Sequence, residues 1–200
     1  MKKTLIALVL LTVASATSQS YGGIPRDAIK YKRDLIRHSQ NIVGLNAPIA
    51  LFASQIHQES YWNFRAKSKY AHGLTQFTPS TADWIVTVFP GLKSPDVFNP
   101  MWSIRAMIRY DMWLHKRIKA NNECDKWAMV LSSYNGGLGW LLKDKNSARR
   151  KGLNPYLWWD NVSTVSNRAG WAYRENRDYP YRILYKHQPK YKMWGTKYVC

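Results

Sequence analysis

Acidic side chains are scarce in this sequence. Twelve Asp and Glu stand against 30 Lys and Arg, a formal charge of +18, and Glu occurs only at Glu59, Glu123 and Glu175. Few carboxyl groups are therefore on hand for proton transfer. Cysteine occurs twice, at Cys124 and Cys200, too far apart to supply half of a zinc site, and His38, His57, His72, His115 and His187 show no paired ligand spacing. No metal signature exists, and no cofactor is implied. The apolar run from Leu5 to Val13 is too short to cross a bilayer comfortably as a helix. Internal repeats, low-complexity tracts and linkers are also absent, so the 200 residues read as one domain large enough to bury its own core.

What the sequence does contain begins with Met1-Lys2-Lys3, the run Leu5 to Val13 and Ala14-Ser15-Ala16, the three parts of a secretory signal peptide. The expectation is a signal over residues 1–16, with cleavage as late as Ser20 as the alternative, followed by one domain over 17–200. Transient retention of the signal in the membrane is the other reading. Export places the chain in the periplasm or outside the cell. There Cys124 and Cys200 either form a disulfide that ties the tail to the domain or stay apart, one buried and one exposed; sequence leaves both open. The positive charge points to a polyanionic partner or serves solubility alone. Export argues against nucleic acid and toward anionic wall polymers, peptide carboxylates and lipid headgroups. The chain is expected to act as a monomer.

Helical signals dominate the rest. Asp27 to Gln40 reads as an amphipathic helix, and Asn46-Ala47-Pro48 as an N-cap and first turn of a second. Residues 60–78 read as a loop or small irregular hairpin. Thr78-Pro79 predicts a helix ending before Pro90-Gly91, Asn99-Pro100 predicts one reaching Lys119, and Lys126 to Tyr134 forms another, ended by Gly136-Gly137. The pattern fails from Leu141 to Ala172, where aromatics such as Trp158, Trp159 and Trp171 are assigned either to the core or to a binding cleft. A last helix is expected over Asn176–His187, with Pro180 in its first turn.

The second helix carries the most informative residue. Ile49, Phe52, Ala53 and Ile56 recur at helical spacing, and the next step along that stripe is Glu59. A carboxyl group turned toward a core near the negative end of a helix dipole ionises reluctantly. Such a group suits a general acid working near neutral pH, the alternative being a helix-end Glu facing solvent.

The residues around Glu59 resemble the signature of soluble lytic transglycosylases and the related goose-type lysozymes. Glu59-Ser60-Tyr61-Trp62-Asn63, Ala66, Ser68 and Ala71-His72-Gly73-Leu74-Thr75-Gln76 form the first blocks. Asp96-Val97-Phe98-Asn99-Pro100, then Trp127 to Ser133-Tyr134-Asn135-Gly136-Gly137, then Glu175-Asn176-Arg177-Asp178-Tyr179 follow in the family order, so the likeness runs from about residue 46 to 185. The resemblance implies a mainly α, lysozyme-like single domain with a small irregular loop or hairpin beside the catalytic helix. It implies cleavage of the β-1,4 bond between N-acetylmuramic acid and N-acetylglucosamine in peptidoglycan strands, with a 1,6-anhydro product. Glu59 would be the acid; Ser68, Gln76, Tyr134, Asn135 and Glu175 would face substrate, Tyr134 also orienting the acid. Hydrolysis, as in goose-type lysozymes, would need a second placed carboxylate, with Asp83 and Asp96 as the candidates. Glu175 is equally assigned to a pairing with Arg174 or Arg177. A cationic wall- or membrane-binding protein on the same scaffold is the non-enzymatic alternative, and phage lysis, wall remodelling or a secretion apparatus are the settings. Thr75, Tyr70 and Gly136 depart from the family pattern at positions expected to touch the glycan.

Overall fold

The computed structural model describes residues 23–200; the expected signal peptide lies outside them. The described chain is mainly helical: α1 (Arg26–Val43), α2 (Ile49–Ser60), α3 (Pro79–Val88), α4 (Pro100–Arg117), α5 (Glu123–Gly136), α6 (Leu138–Arg150) and α7 (Gly170–Tyr181). None of these helices is long and apolar enough to cross a membrane.

The central element is α2. Every residue from Ile49 to His57 is buried, because α1 and the C-terminal turns pack against α2, while Gln55 meets Asp111 of α4 and Phe52 meets Trp127 of α5. Leu51, Phe52 and Ile56 have no exposed surface, and each such side chain contributes about 1.5–3 kcal/mol of transfer free energy. The start of α2 differs from expectation. Asn46 caps nothing; Pro48 is the N-cap residue and makes no side-chain bond, since burial and not capping fixes this end. Two start signals work as read, since Thr78 accepts from the Thr81 amide and Asn99 accepts from Met101 and Trp102, whereas the helix expected from Lys126 starts at Glu123, where Asn122 accepts from the Asp125 amide.

Two segments correct the sequence reading. The stretch from Leu141 onward is not irregular at first, because it continues the unrecognised helix α6. That helix is rich in Lys and Arg and buries Leu141, Asp144, Lys145, Ser147 and Ala148, of which only two are apolar, so its apolar period is faint. The last helix starts earlier than Asn176, at Gly170, and Pro180 sits near its end, followed by a π-helical stretch over Arg182–His187. Proline cannot donate back to the preceding turn, and the register widens there.

Residues 61–78 form the irregular loop, with isolated bridges from Lys67 to His72 and from His72 to Phe77. Gly73 is obligatory within it: its φ is +77°, and a Cβ would stand 1.8 Å from the Val97 carbonyl oxygen. Cys124 and Cys200 are joined by a disulfide, and Gln188 donates to the Val199 carbonyl, so the tail is fastened to α5 and beside α2.

Candidate active site

The end of α2, the 61–78 loop, α5, the start of α6 and α7 surround a cleft of about 920 Å³. Glu59 lies in its wall, near the end of α2, where the chain turns sharply through left-handed Tyr61 and Trp62. Trp62 is fully buried and donates from Nε1 to the Tyr191 hydroxyl at 2.8 Å, which anchors this turn. Ser60 Oγ bonds the Leu74 carbonyl at 2.7 Å and fastens the loop to the helix. The acid is thus held on a rigid element, and the loop is pinned beside it.

Glu59 keeps part of its surface open to the cleft, but its carboxyl group is enclosed by protein. Desolvation pushes its pKa up to about 8, the negative charge of Glu175 adds to the rise, and a hydrogen bond from Tyr179 opposes both. The Tyr179 hydroxyl donates to Oε1 and leaves Oε2 outside that bond. Burial, with Glu59 beside it, raises the Tyr179 phenol well above its usual range and keeps it a donor.

Ser68, Gln76, Tyr134, Asn135 and Glu175 all line the cleft with Glu59, as do Tyr70 and Gly136. Several of them also have structural duties. Ser68 Oγ accepts from the Tyr70 and Ala71 amides and so caps a turn. Gln76 donates to the Gly73 carbonyl at 2.8 Å and to that of Ala66 at 3.3 Å. Asn135 Oδ1 accepts from Asn176 at 2.9 Å. Tyr134 does not orient the acid: its hydroxyl donates to the Thr75 carbonyl at 2.8 Å, and the orienting role passes to Tyr179. Thr75 itself is fully buried and lies outside the cleft lining, so its departure from the family pattern concerns packing.

Glu175 is exposed on the cleft, and among the described residues it enters no ion pair; Arg177 pairs instead with buried Asp144 at 2.9 Å. Asp83 and Asp96 are exposed and stand outside the cleft lining. Glu123 is a surface residue bonded to His115 at 3.1 Å. Among the described residues no cluster of His, Cys, Asp or Glu could hold a metal ion.

Sequence reasoning missed several residues. Trp140 and Arg168 line the cleft; of the aromatics assigned to core or cleft, Trp171 lines the cleft and Trp158 is in the core. Gly136 makes room for this wall: a Cβ there would stand 2.8 Å from Asn176 Nδ2 and 3.1 Å from Arg168 Nη2. Asn176 knits α5 to α7, donating to the Ser132 carbonyl and accepting from Ser132 Oγ and Arg177. Tyr179 was visible in the last sequence block. Its spacing of four from Glu175 puts both on one helical face, a signal hidden by starting the helix at Asn176.

The family model for the transglycosylase SLT domain matches residues 40–157, which include the acid but end before α7. The chain is 38% identical over 113 residues to the membrane-bound lytic murein transglycosylase F of Alteromonas mediterranea, covering 55% of this chain and 23% of that protein. It is 30% identical over 141 residues to the membrane-bound lytic murein transglycosylase F 2 of Alkalilimnicola ehrlichii, covering 70% of this chain and 30% of that one. The chain thus spans less than a third of the length of these relatives. A solved complex of the 70-kDa soluble lytic transglycosylase with bulgecin A superposes with a TM-score of 0.58 at 23% identity, over 86% of this chain and 26% of that one. That likeness concerns the fold, and it agrees with the mainly α, lysozyme-like architecture expected from the sequence. Since the matched segment spans more than half of the chain, the protein belongs to the transglycosylase SLT domain family.

Proposed function

We propose that the chain is a peptidoglycan lytic transglycosylase that cleaves the β-1,4 bond between N-acetylmuramic acid and N-acetylglucosamine, with Glu59 as its one acid and base. The observation that carries this reading is the state of Glu59: a cleft carboxyl group that burial keeps protonated up to about pH 8, held by one phenol donor. Protonated Glu59 gives its proton to the glycosidic oxygen, and the bond to C1 of the muramic residue breaks toward an oxocarbenium-like centre. The carboxylate so formed takes the proton of the C6 hydroxyl. That oxygen closes on C1 and yields the 1,6-anhydro sugar, while Tyr179 stabilises the carboxylate between the two transfers.

Ser68, Gln76, Asn135, Tyr134 and Glu175 are proposed to contact the glycan from the cleft walls, which Trp140 and Trp171 also line. The signal-like N-terminus, the basic charge and the names of the relatives support action on the wall from the periplasm or outside the cell, in wall opening or remodelling. Glu175 gives hydrolysis its one specific support, because it is a second carboxylate on the same cleft.

The test is the chemistry of the cut ends. Purified sacculi digested by the protein should release 1,6-anhydromuramyl fragments that borohydride does not reduce. Reducible muramic ends that carry heavy oxygen from labelled water would assign hydrolysis, and clearing that survives Glu59→Gln would assign the cationic binding reading.

A further inference from the structure

Asp111 lies in the core stripe of α4 and has no exposed surface. Its partner is equally buried Gln55, which is four residues before Glu59 on α2. Gln55 Nε2 donates to Asp111 Oδ1 at 3.4 Å. Asp111 Oδ2 and Gln55 Oε1 are both buried and have no hydrogen-bond partner among the described residues. Two acceptors left empty on a pair already joined by one bond are a mismatch that a single proton removes. A protonated carboxyl and a primary amide each present one donor beside one acceptor.

We propose that Asp111 is a neutral carboxylic acid paired with Gln55, its Oδ2 proton donated to Gln55 Oε1, and that this acid–amide pair positions the turn of α2 carrying Glu59. The inference rests on Glu59 being the reacting acid. The surroundings suit a neutral group. Among the described residues, the titratable groups coupled to Asp111 are Glu59 on α2, Tyr110 on α4, Tyr134 on α5 and Tyr179 on α7, all acids and none a cation. Burial pushes the Asp111 carboxyl well above the ordinary range, the bond from Gln55 opposes that rise in part, and Glu59 adds to it. An ionised Asp111 would place a second negative charge behind Glu59 and hinder the return of Glu59 to a carboxylate. Being wholly buried and outside the cleft lining, Asp111 does not activate a water molecule there.

The test is carboxyl carbon NMR of the full chain labelled at aspartate, so that Glu59 is silent. One aspartate resonance should hold the protonated position through pH 7 and disappear in Asp111→Asn. Ionisation of every aspartate below pH 6 would overturn the proposal, and that count needs no variant. Kinetics on sacculi supply the second readout. Asp111→Leu should lower kcat about tenfold with little change in KM, as expected for loss of one positioning contact. Asp111→Asn should restore most of that loss, because an amide pairs with Gln55 in the same way. A falling limb of the pH profile displaced to lower pH in Asp111→Asn would show that the parent carries a charge there, and would overturn the assignment. The NMR outcome stands whether or not the protein cleaves glycan, so failure of the pair and failure of the proposed function are separable.

Discussion

Tyr179 on α7 donates its hydroxyl hydrogen bond to Oε1 of Glu59 on α2, across 120 residues of sequence. The contact opposes the desolvation of the acid and fixes which oxygen is free, so the two ends of the domain share control of one proton.

Tyr179→Phe removes that donor but leaves the ring packed. The bond favours the ionised form of Glu59, so its loss raises the Glu59 pKa and moves the falling limb of the pH–rate profile upward. Loss of a hydrogen bond to a charged group, about 1.5–3 kcal/mol, implies a fall in kcat of roughly ten- to a hundredfold. Initial rates on sacculi from pH 5 to 9 check both effects, and an unmoved limb would remove Tyr179 from the mechanism.

Glu59→Gln should abolish cleavage, with a loss of at least ~10²-fold. It should also alter stability in a pH-dependent way. The folded pKa of Glu59 is raised from 4.5 to about 8, so its contribution is full below the unfolded value and is lost as pH rises through about 8. The parent therefore weakens over that window and the variant does not. Melting curves at pH 5 and pH 8.5 should show Gln gaining on Glu by at least ~3 °C at the higher pH, about 1 kcal/mol for a chain of this size. An equal difference at both pH values would mean that Glu59 titrates as an exposed residue.

Tyr134→Phe deletes the bond from α5 to the Thr75 carbonyl while Tyr179 still holds the acid. The loop carrying Gln76 should loosen, at a cost of about 1 kcal/mol in stability, and KM should rise more than kcat falls. A hundredfold fall in kcat with unchanged KM would restore Tyr134 as the residue that orients Glu59.

Reduction of the Cys124–Cys200 disulfide opens a loop that joins residues 76 positions apart. The chain-entropy account gives such a crosslink about 4 kcal/mol, so Tm should fall by roughly 10 °C. Differential scanning calorimetry with and without reductant measures it, and Cys200→Ser should match the reduced parent.

Local chemistry sufficed for much of this protein. The apolar spacing of Ile49, Phe52, Ala53 and Ile56 places Glu59 on the buried side of a helix, and the Thr78-Pro79 and Asn99-Pro100 pairs start helices wherever they occur. Asp111 was open to the same reasoning, since it lies three positions beyond Ile108 on the buried stripe of α4. Periodicity ran out where helices are only narrowly buried, as in basic α6, and where proline sits near a helix end, as Pro180 does in α7. Sequence could count two cysteines but not bring their backbones within 4.9 Å. The family resemblance pointed to Tyr134 as the partner of Glu59, whereas packing gives that place to Tyr179. That choice, like the pairing of Asp111 with Gln55, depends on how separate helices pack, and hydrogen bonds between distant segments are set by tertiary geometry that no local spacing encodes.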